Sequence, residues 1–133
     1  MLHMSRVAFG CDSLADLEAI VDARAVGGVI NLTTRYLPKR HAEILDGGSM
    51  YWIIKHQIVA RAPILRFQDA EGGKTDIITK AQVIRVASRP KRAHQGWRYL
   101  EPKDAPIDLY DAFEGADELP AELTGKLSDL GII

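Results

Sequence analysis

Basic and aromatic side chains alternate in the segment 89–99, where Pro90 and Gly96 interrupt regular structure. The basic residues are Arg89, Lys91, Arg92 and Arg98, and the aromatic residues are His94, Trp97 and Tyr99. Cations bind phosphates and aromatic faces stack on bases, so this composition favours a loop that binds single-stranded nucleic acid. The alternative is a loop that covers one end of a barrel with Trp97 and Tyr99 while its charges stay in water.

A second basic cluster surrounds Pro38, a residue favoured in the first turn of a helix. Its members are Arg35, Lys39 and Arg40. A strand end followed by a helix start brings these cations near unpaired backbone N–H groups, an arrangement that binds anions. The alternative is a solvated basic corner that pairs with Glu43 or Asp46. Residues 35–103 carry 14 basic and 6 acidic side chains, and this surplus favours a polyanion or phosphate ligand.

These patterns lead to a predicted set of ligand-binding residues. We expect phosphates on Arg35, Lys39, Arg40 and Arg92, cleft walls from Lys55 and Arg61, and a stacked base on Trp97 or Tyr51, with Arg98 completing the set. The ligand would be RNA, another single-stranded nucleic acid or a modified nucleotide. A first alternative is a small phosphorylated molecule, bound or converted in the same pocket. A second is a protein partner held by the leucine stripe Leu123, Leu127 and Leu130.

No motif names a reaction. The chain lacks the glycine-rich loops of dinucleotide-binding and Walker-type proteins and the Gly-x-Ser-x-Gly motif of serine hydrolases. The four histidines are scattered without metal-ligand spacing, so we predict no metal and no cofactor. The one cysteine, Cys11, excludes an intrachain disulfide. It precedes a helix start, where thiol pKa values fall, but a lone cysteine in an apolar stretch is typical of packing.

Alternating apolar residues predict the elements that position these groups. Strands are expected at 5–11, 29–35, 49–55, 58–68 and 75–87, and a short helix at 39–45. A longer helix begins at Ser13, with Asp16 as a capping partner. The strand 49–55 is apolar on both faces, so it is expected to lie deep in the sheet. Pro63 predicts an edge position or a bulge, and a change of period between Ile78 and Val83 predicts a bend.

Length and charge complete the expected architecture. The chain of 133 residues is expected to form one domain, with a basic α+β body at 1–100 and an acidic helical extension at 101–133. The extension carries 9 acidic and 2 basic residues, and it is expected either to be a solvated face or to cover the basic site. Neither a signal peptide nor a spanning helix is evident, so the cytoplasm is the expected location.

Four segments carry a family resemblance. They are Thr34-Arg-x-x-Pro-Lys-Arg40, Leu45-Asp-Gly-Gly-Ser-Met-Tyr-Trp-Ile-Ile-Lys55, Gln95-Gly-Trp-Arg-Tyr-Leu100 and the ending Leu-Pro-Ala-Glu-Leu…Leu-Gly-Ile-Ile. Together they resemble a bacterial domain-of-unknown-function family, number 1489, over nearly the whole chain. His56 departs from the glycine expected there. The family implies no activity and no functional residues.

A looser likeness of layout is to PUA-like and ASCH domains, small β-barrels with short helices that often bind RNA or modified bases. The basic residue Arg35, the Pro38 helix and the Gly47-Gly48 pair before strand 49–55 carry this likeness. We therefore expect an α+β protein of five or six strands. Its sheet would be strongly bent and mixed, or a partly closed PUA-like β-barrel, with an N-terminal helix on one side and C-terminal helices packed outside.

Overall fold

The computed structural model describes residues 1–109, and the expected C-terminal helices and leucine stripe lie outside this part of the chain. The strands are β1 (His3–Val7), β2 (Val29–Thr34), β3 (Ser49–Ile54), β4 (Gln57–Asp69), β5 (Thr75–Lys80), β6 (Ile84–Pro90) and β7 (Trp97–Leu100). The helices are α1 (Leu14–Arg24) and α2 (His41–Leu45), with short 3₁₀ turns at Glu71–Gly73 and Pro102–Asp104. The described chain is therefore α+β, as predicted.

All seven strands belong to one mixed sheet, in the order β2-β5-β4-β3-β1-β7, with β6 also paired to β4. β1 runs parallel to β3 and antiparallel to β7, and the other pairs are antiparallel. Within residues 1–109 the sheet is not closed, because β2 and β7 share no backbone pairing. The mixed sheet was predicted, and the alternative of a partly closed barrel is not confirmed in this part of the chain.

The long strand β4 organises the sheet because it continues through two sets of partners. Its first half pairs with β3 on one side and β6 on the other, and its second half pairs with β5. Pro63, which cannot donate to a ladder, lies where the pairing passes from β6 to β5. The bend predicted between Ile78 and Val83 is the break between β5 and β6. The predicted strand 75–87 is thus two strands along one edge of β4.

Both faces of β3 are covered, and all six of its residues are buried. Met50, Trp52 and Ile54 lie in the main core, which also takes Leu17 and Val21 from α1. The opposite face, with Tyr51 and Ile53, forms a second cluster with Ile58, Val86 and Leu100. This arrangement confirms the prediction of a central strand. Ser13 caps α1, accepting a hydrogen bond from the backbone N–H of Asp16 at 3.2 Å.

Two local predictions need correction. Residues 97–100 were expected to lie in a loop, but they form β7, because alternate side chains of this segment fit an edge strand against β1. The sheet therefore has seven strands and not five or six. In α2, Leu45 is 42% exposed, whereas Ile44 beside it is fully buried. A helix of five residues has a single buried stripe, and Ile44 occupies it.

Candidate nucleic-acid interface

A cleft of about 380 Å³ lies between the end of β2 and the start of β7, and we name it the β2–β7 cleft. It is lined by Arg6, Thr33, Thr34, Arg35, Tyr36, Gln95, Gly96 and Trp97. The topology explains this grouping, because β2 and β7 are the two ends of the strand order of a curved sheet. Residues 95–97 and 33–36, far apart in the chain, thereby form opposite walls of one cleft.

Arg6 and Trp97 are neighbours across the cleft floor. Arg6 stands opposite Trp97 in the β1–β7 ladder and opposite Trp52 in the β1–β3 ladder, so the three side chains lie on the same face of the sheet. Arg35 and Tyr36 directly follow the last residue of β2, and both are exposed. Tyr36 keeps 73% of its surface open to solvent. An aromatic side chain that exposed is available to stack on a ligand.

Trp97 is held in one position by two contacts. Its indole Nε1 donates a hydrogen bond of 2.9 Å to Thr34 Oγ1. Its ring meets Tyr99 edge-to-face, with 5.0 Å between centroids and 72° between planes. Because the indole remains only half-buried, a fixed aromatic surface faces the cleft, and little conformational freedom is lost when a ring packs on it.

The electrostatic character of the cleft is cationic. Both charged residues of its lining are arginines, Arg6 and Arg35. The pKa of Arg6 lies below its ordinary value because of burial and of the nearby charge of Arg24. Among residues 1–109, the only carboxylate bonded to a lining side chain is Asp76, which accepts from Thr33 Oγ1 at 2.9 Å. An anionic ligand would therefore meet two guanidinium groups.

The structure places two of the predicted site residues, Arg35 and Trp97, in this lining. Three others lie outside it: Lys39, Arg92 and Arg98 are exposed, and none of them has an ion pair within residues 1–109. Arg98 alternates with Trp97 along β7 and so projects from the opposite face of the sheet. None of these three cations lines the cleft.

Arg40 is occupied by acidic neighbours, which corresponds to the predicted alternative of pairing with Glu43. Its guanidinium contacts Glu43 at 2.6 Å and Glu101 at 3.1 Å, and lies 5.5 Å from the Tyr99 ring centroid. The bonds from Arg40 lower the pKa of Glu43. Since two carboxylates already balance this charge, we leave Arg40 out of the proposed site.

Three more predicted residues lie outside the cleft. Tyr51 is 4% exposed and packs edge-to-face on His3, at 5.0 Å between centroids, so no base reaches its face in this structure. Arg61 binds the Asp108 carboxylate through two hydrogen bonds of 2.7 Å. Lys55 is exposed in the two-residue turn between β3 and β4. The sequence grouped these residues because side-chain alternation along neighbouring strands can be read from it. The partners of Tyr51 and Arg61, which are His3 and Asp108, cannot be read from it.

The Lys55–His56 turn adopts a left-handed backbone, with φ of 50° and 60°. Such turns favour glycine, which explains the glycine expected in place of His56. The imidazole provides a contact that glycine would lack, because His56 Nδ1 accepts a hydrogen bond of 2.9 Å from the backbone N–H of Ala93. The histidine therefore ties the basic loop at 91–96 to this turn.

Two groups with nucleophilic chemistry are not available for it. Ser5 Oγ lies 3.0 Å from His94 Nε2, but Ser5 is fully buried, so a substrate cannot reach it. Burial, together with Asp16 and Asp12, raises the pKa of the Cys11 thiol, which disfavours the thiolate. Within residues 1–109, no three metal-ligating side chains gather in one place, and no helix is long and apolar enough to cross a membrane.

Sequence reasoning missed Arg6 and Tyr36. Arg6 was read as part of an apolar strand, although a single arginine in such a strand is itself a signal of a special environment. Tyr36 follows directly after Arg35 and was passed over. Both enter the cleft only because the two outer strands of the sheet approach each other.

Comparison with known proteins identifies a family. A family model described as "Protein of unknown function (DUF1489)" matches residues 4–133. No curated protein and no solved structure matches the chain significantly.

Proposed function

The chain belongs to the DUF1489 family, and on that premise we propose that it binds single-stranded nucleic acid, most favourably RNA, through the β2–β7 cleft. One observation carries the proposal. Two arginines, Arg6 and Arg35, and two accessible aromatic side chains, Tyr36 and Trp97, line the same cleft of about 380 Å³. Guanidinium groups for phosphates beside aromatic faces for bases are the elements that single-strand binding requires.

The size of the cleft favours unpaired nucleotides over duplex. Small-ligand sites measure roughly 300–1,000 Å³, so a cleft of about 380 Å³ receives about one nucleotide. In a duplex the base faces are stacked on one another and cannot reach a recessed aromatic side chain. A base that is splayed out of a single strand can pack on Tyr36 or Trp97.

The surrounding charge supports a ligand longer than one nucleotide. Lys39 and Arg92 are exposed cations three positions in the chain from Tyr36 and Gln95 of the two walls, and neither has an ion pair within the described chain. We assign them the phosphates on either side of the bound nucleotide. Such contacts raise affinity without reading sequence, and they make it depend on salt.

The test is fluorescence anisotropy of a labelled single-stranded oligouridylate, measured at several salt concentrations. Arg35→Ala should weaken binding about fivefold and reduce the steepness of the salt dependence by about 0.7, the value for one lost phosphate contact on a single strand. Lys80→Ala is the matched control, since Lys80 is exposed at the opposite end of β2, paired with Val29. It should change affinity much less.

The outcomes separate the candidate functions. Absence of binding at low salt, or equal losses in Arg35→Ala and Lys80→Ala, would contradict the proposal. Binding of uridine monophosphate as tight as that of the oligonucleotide would move the assignment to a small phosphorylated molecule. Preference for a duplex competitor would contradict the single-strand model.

A further inference from the structure

A second cavity, which we name the α1 cavity, lies between helix α1 and the sheet and has a volume of about 180 Å³. Its walls are mostly apolar, with Leu17, Ile20 and Val21 from α1 facing Ile30 and Leu32 from β2. Arg6, Arg24 and Trp52 are also in its lining. The cavity therefore combines an apolar interior with a small number of polar side chains, the usual composition of a small-molecule site.

The polar side chains of this lining are hydrogen-bond donors. Arg6 and Arg24 carry guanidinium groups, which donate and do not accept. The Trp52 indole N–H is buried and has no hydrogen-bond partner. That N–H is shielded from solvent and is not counted among the groups a ligand would contact. A ligand that brings acceptor atoms would satisfy the two arginines.

The two arginines concentrate positive charge at this place. Arg24, in the last turn of α1, is close enough to help lower the pKa of the half-buried Arg6. Neither arginine has an ion pair within residues 1–109. Two like charges held together without a counter-charge destabilise one another, and an anion placed between them would relieve that repulsion.

We propose that the α1 cavity binds a small organic carboxylate. Its carboxylate would accept hydrogen bonds from Arg6 and Arg24, and its apolar body would pack against Leu17 and Val21. Guanidinium groups match the planar carboxylate with two parallel hydrogen bonds. The apolar walls disfavour a fully hydrated anion such as inorganic phosphate. Since a cavity of about 150 Å³ can hold benzene, a single ring fits this one.

This site is separate from the β2–β7 cleft, although Arg6 lines both. Of these two sites, Arg24 lines the α1 cavity and not the cleft, and Arg35 lines the cleft and not the α1 cavity. Substitutions at these two positions therefore test the two proposals independently. The carboxylate proposal stands whether or not the protein binds nucleic acid.

The experiment is a benzoate titration of the full chain followed by NMR of the tryptophan indole N–H signals. The chain has two tryptophans, and a Trp97→Phe variant identifies the Trp52 signal. We expect a saturable shift of the Trp52 N–H signal, because Trp52 lines the α1 cavity and a bound ring packs beside its indole. The Trp97 signal should move little, since Trp97 does not line this cavity. Benzyl alcohol, which lacks the charge, should bind at least fivefold more weakly.

Arg24 variants give the second readout. Arg24→Gln should weaken benzoate binding at least fivefold, and Arg24→Lys should retain part of the affinity. Arg24 is exposed, so both variants should fold, and dispersed amide signals would verify this. Three results would overturn the proposal: no Trp52 shift, equal binding of benzyl alcohol, or equal binding of inorganic phosphate. Full affinity in Arg24→Gln would also overturn it.

Discussion

Trp97 and Thr34, separated by 63 positions in the chain, are joined by a hydrogen bond of 2.9 Å from the indole Nε1 to the threonine Oγ1. Thr34 ends β2 and Trp97 begins β7, and these outer strands share no backbone pairing in the described chain. This side-chain hydrogen bond therefore links two strands that backbone hydrogen bonds would join in a closed barrel. It also fixes the width of the β2–β7 cleft, since both residues line it.

Removing the threonine acceptor tests this connection. Thr34→Val keeps the shape of the side chain and its preference for a strand, but leaves the Trp97 N–H without a partner. We expect the free energy of unfolding to fall by about 1 kcal/mol, measured by urea unfolding, and oligonucleotide affinity to fall with it. Thr33→Val is the control, because its hydroxyl bonds to Asp76 at the surface. Equal losses in both variants would contradict this interpretation.

The Arg61–Asp108 pair makes a second prediction. Both side chains are only about one-fifth exposed, at 23% and 21%, and Arg61 also donates to Ser49 Oγ at 2.8 Å. Asp108→Ala deprives a partly buried guanidinium of its carboxylate, so we expect a loss of about 2 kcal/mol in unfolding free energy.

The control for this pair is Glu18→Ala, which breaks the exposed contact with Arg85, 3.0 Å long. That change should cost at most about 0.5 kcal/mol. A loss at Asp108 no larger than the loss at Glu18 would show that the Arg61 pair does not hold the segment after β7 in place.

Gly48 is the position least tolerant of a side chain. A Cβ atom there would overlap the backbone carbonyl oxygens of Leu2 and Ile44. Backbone atoms cannot move aside as a flexible side chain does, so Gly48→Ala should cost about 3 kcal/mol or more. Gly47→Ala is the comparison, since its Cβ meets only the Met1 side chain, at 4.0 Å, and its positive φ of 83° costs about 1–2 kcal/mol. A smaller loss at Gly48 than at Gly47 in thermal unfolding would refute this ranking.

His3 makes the stability depend on pH. Burial, the Arg61 charge and the N-terminal ammonium lower its pKa, and its Nδ1 accepts a hydrogen bond of 3.0 Å from the Ser49 N–H. Burial and nearby cations lower the pKa of His94 as well. As pH falls below the ordinary value of 6.5, the unfolded chain binds these protons first, so the free energy of unfolding decreases.

The measurement is urea unfolding at a series of pH values. His3→Gln keeps an acceptor for Ser49 but does not titrate, so its stability should decline less between neutral pH and pH values below 6.5. His94, whose pKa is also lowered, contributes to the decline that remains in this variant. An identical pH profile in both proteins would exclude His3 as the source.

Much of the fold follows from local patterns. Ser13 and Asp16 predicted the start of α1, and the apolar run 49–55 predicted a strand covered on both faces. Pro63 predicted an irregularity in β4, and it lies where the pairing of β4 passes from β6 to β5. The change of period after Ile78 predicted a bend, which is the break between β5 and β6. These signals are local because caps, proline geometry and alternation act within a few residues.

The site was harder to predict because it depends on long-range pairing. Arg35 and Trp97 were selected by composition, and the structure brings them into one cleft. Arg40 and Arg61 were selected by the same criterion, but Glu101 and Asp108, about 47 to 61 positions away, neutralise them. A basic residue near an aromatic one in sequence carries no information about which distant carboxylate will pair with it. Charge counts therefore identify a surface more readily than its individual contacts.

Because β1 lies between β3 and β7 in the sheet, each of its two ladders can form only after that partner strand has been synthesised. β1 is made first, but its partners follow, and Arg6 meets Trp97 only when the ladder with β7 forms. At about 5–20 residues per second, translation delivers β7 roughly 5 to 20 s after β1. The strands β4, β5 and β6 follow one another in the chain, so their pairing closes shorter loops and has a lower entropic cost than the pairing of β1 with β7. β1 can pair with β3 well before β7 is made, so its other edge stays open until β7 arrives, and an open strand edge is a template for pairing with another chain.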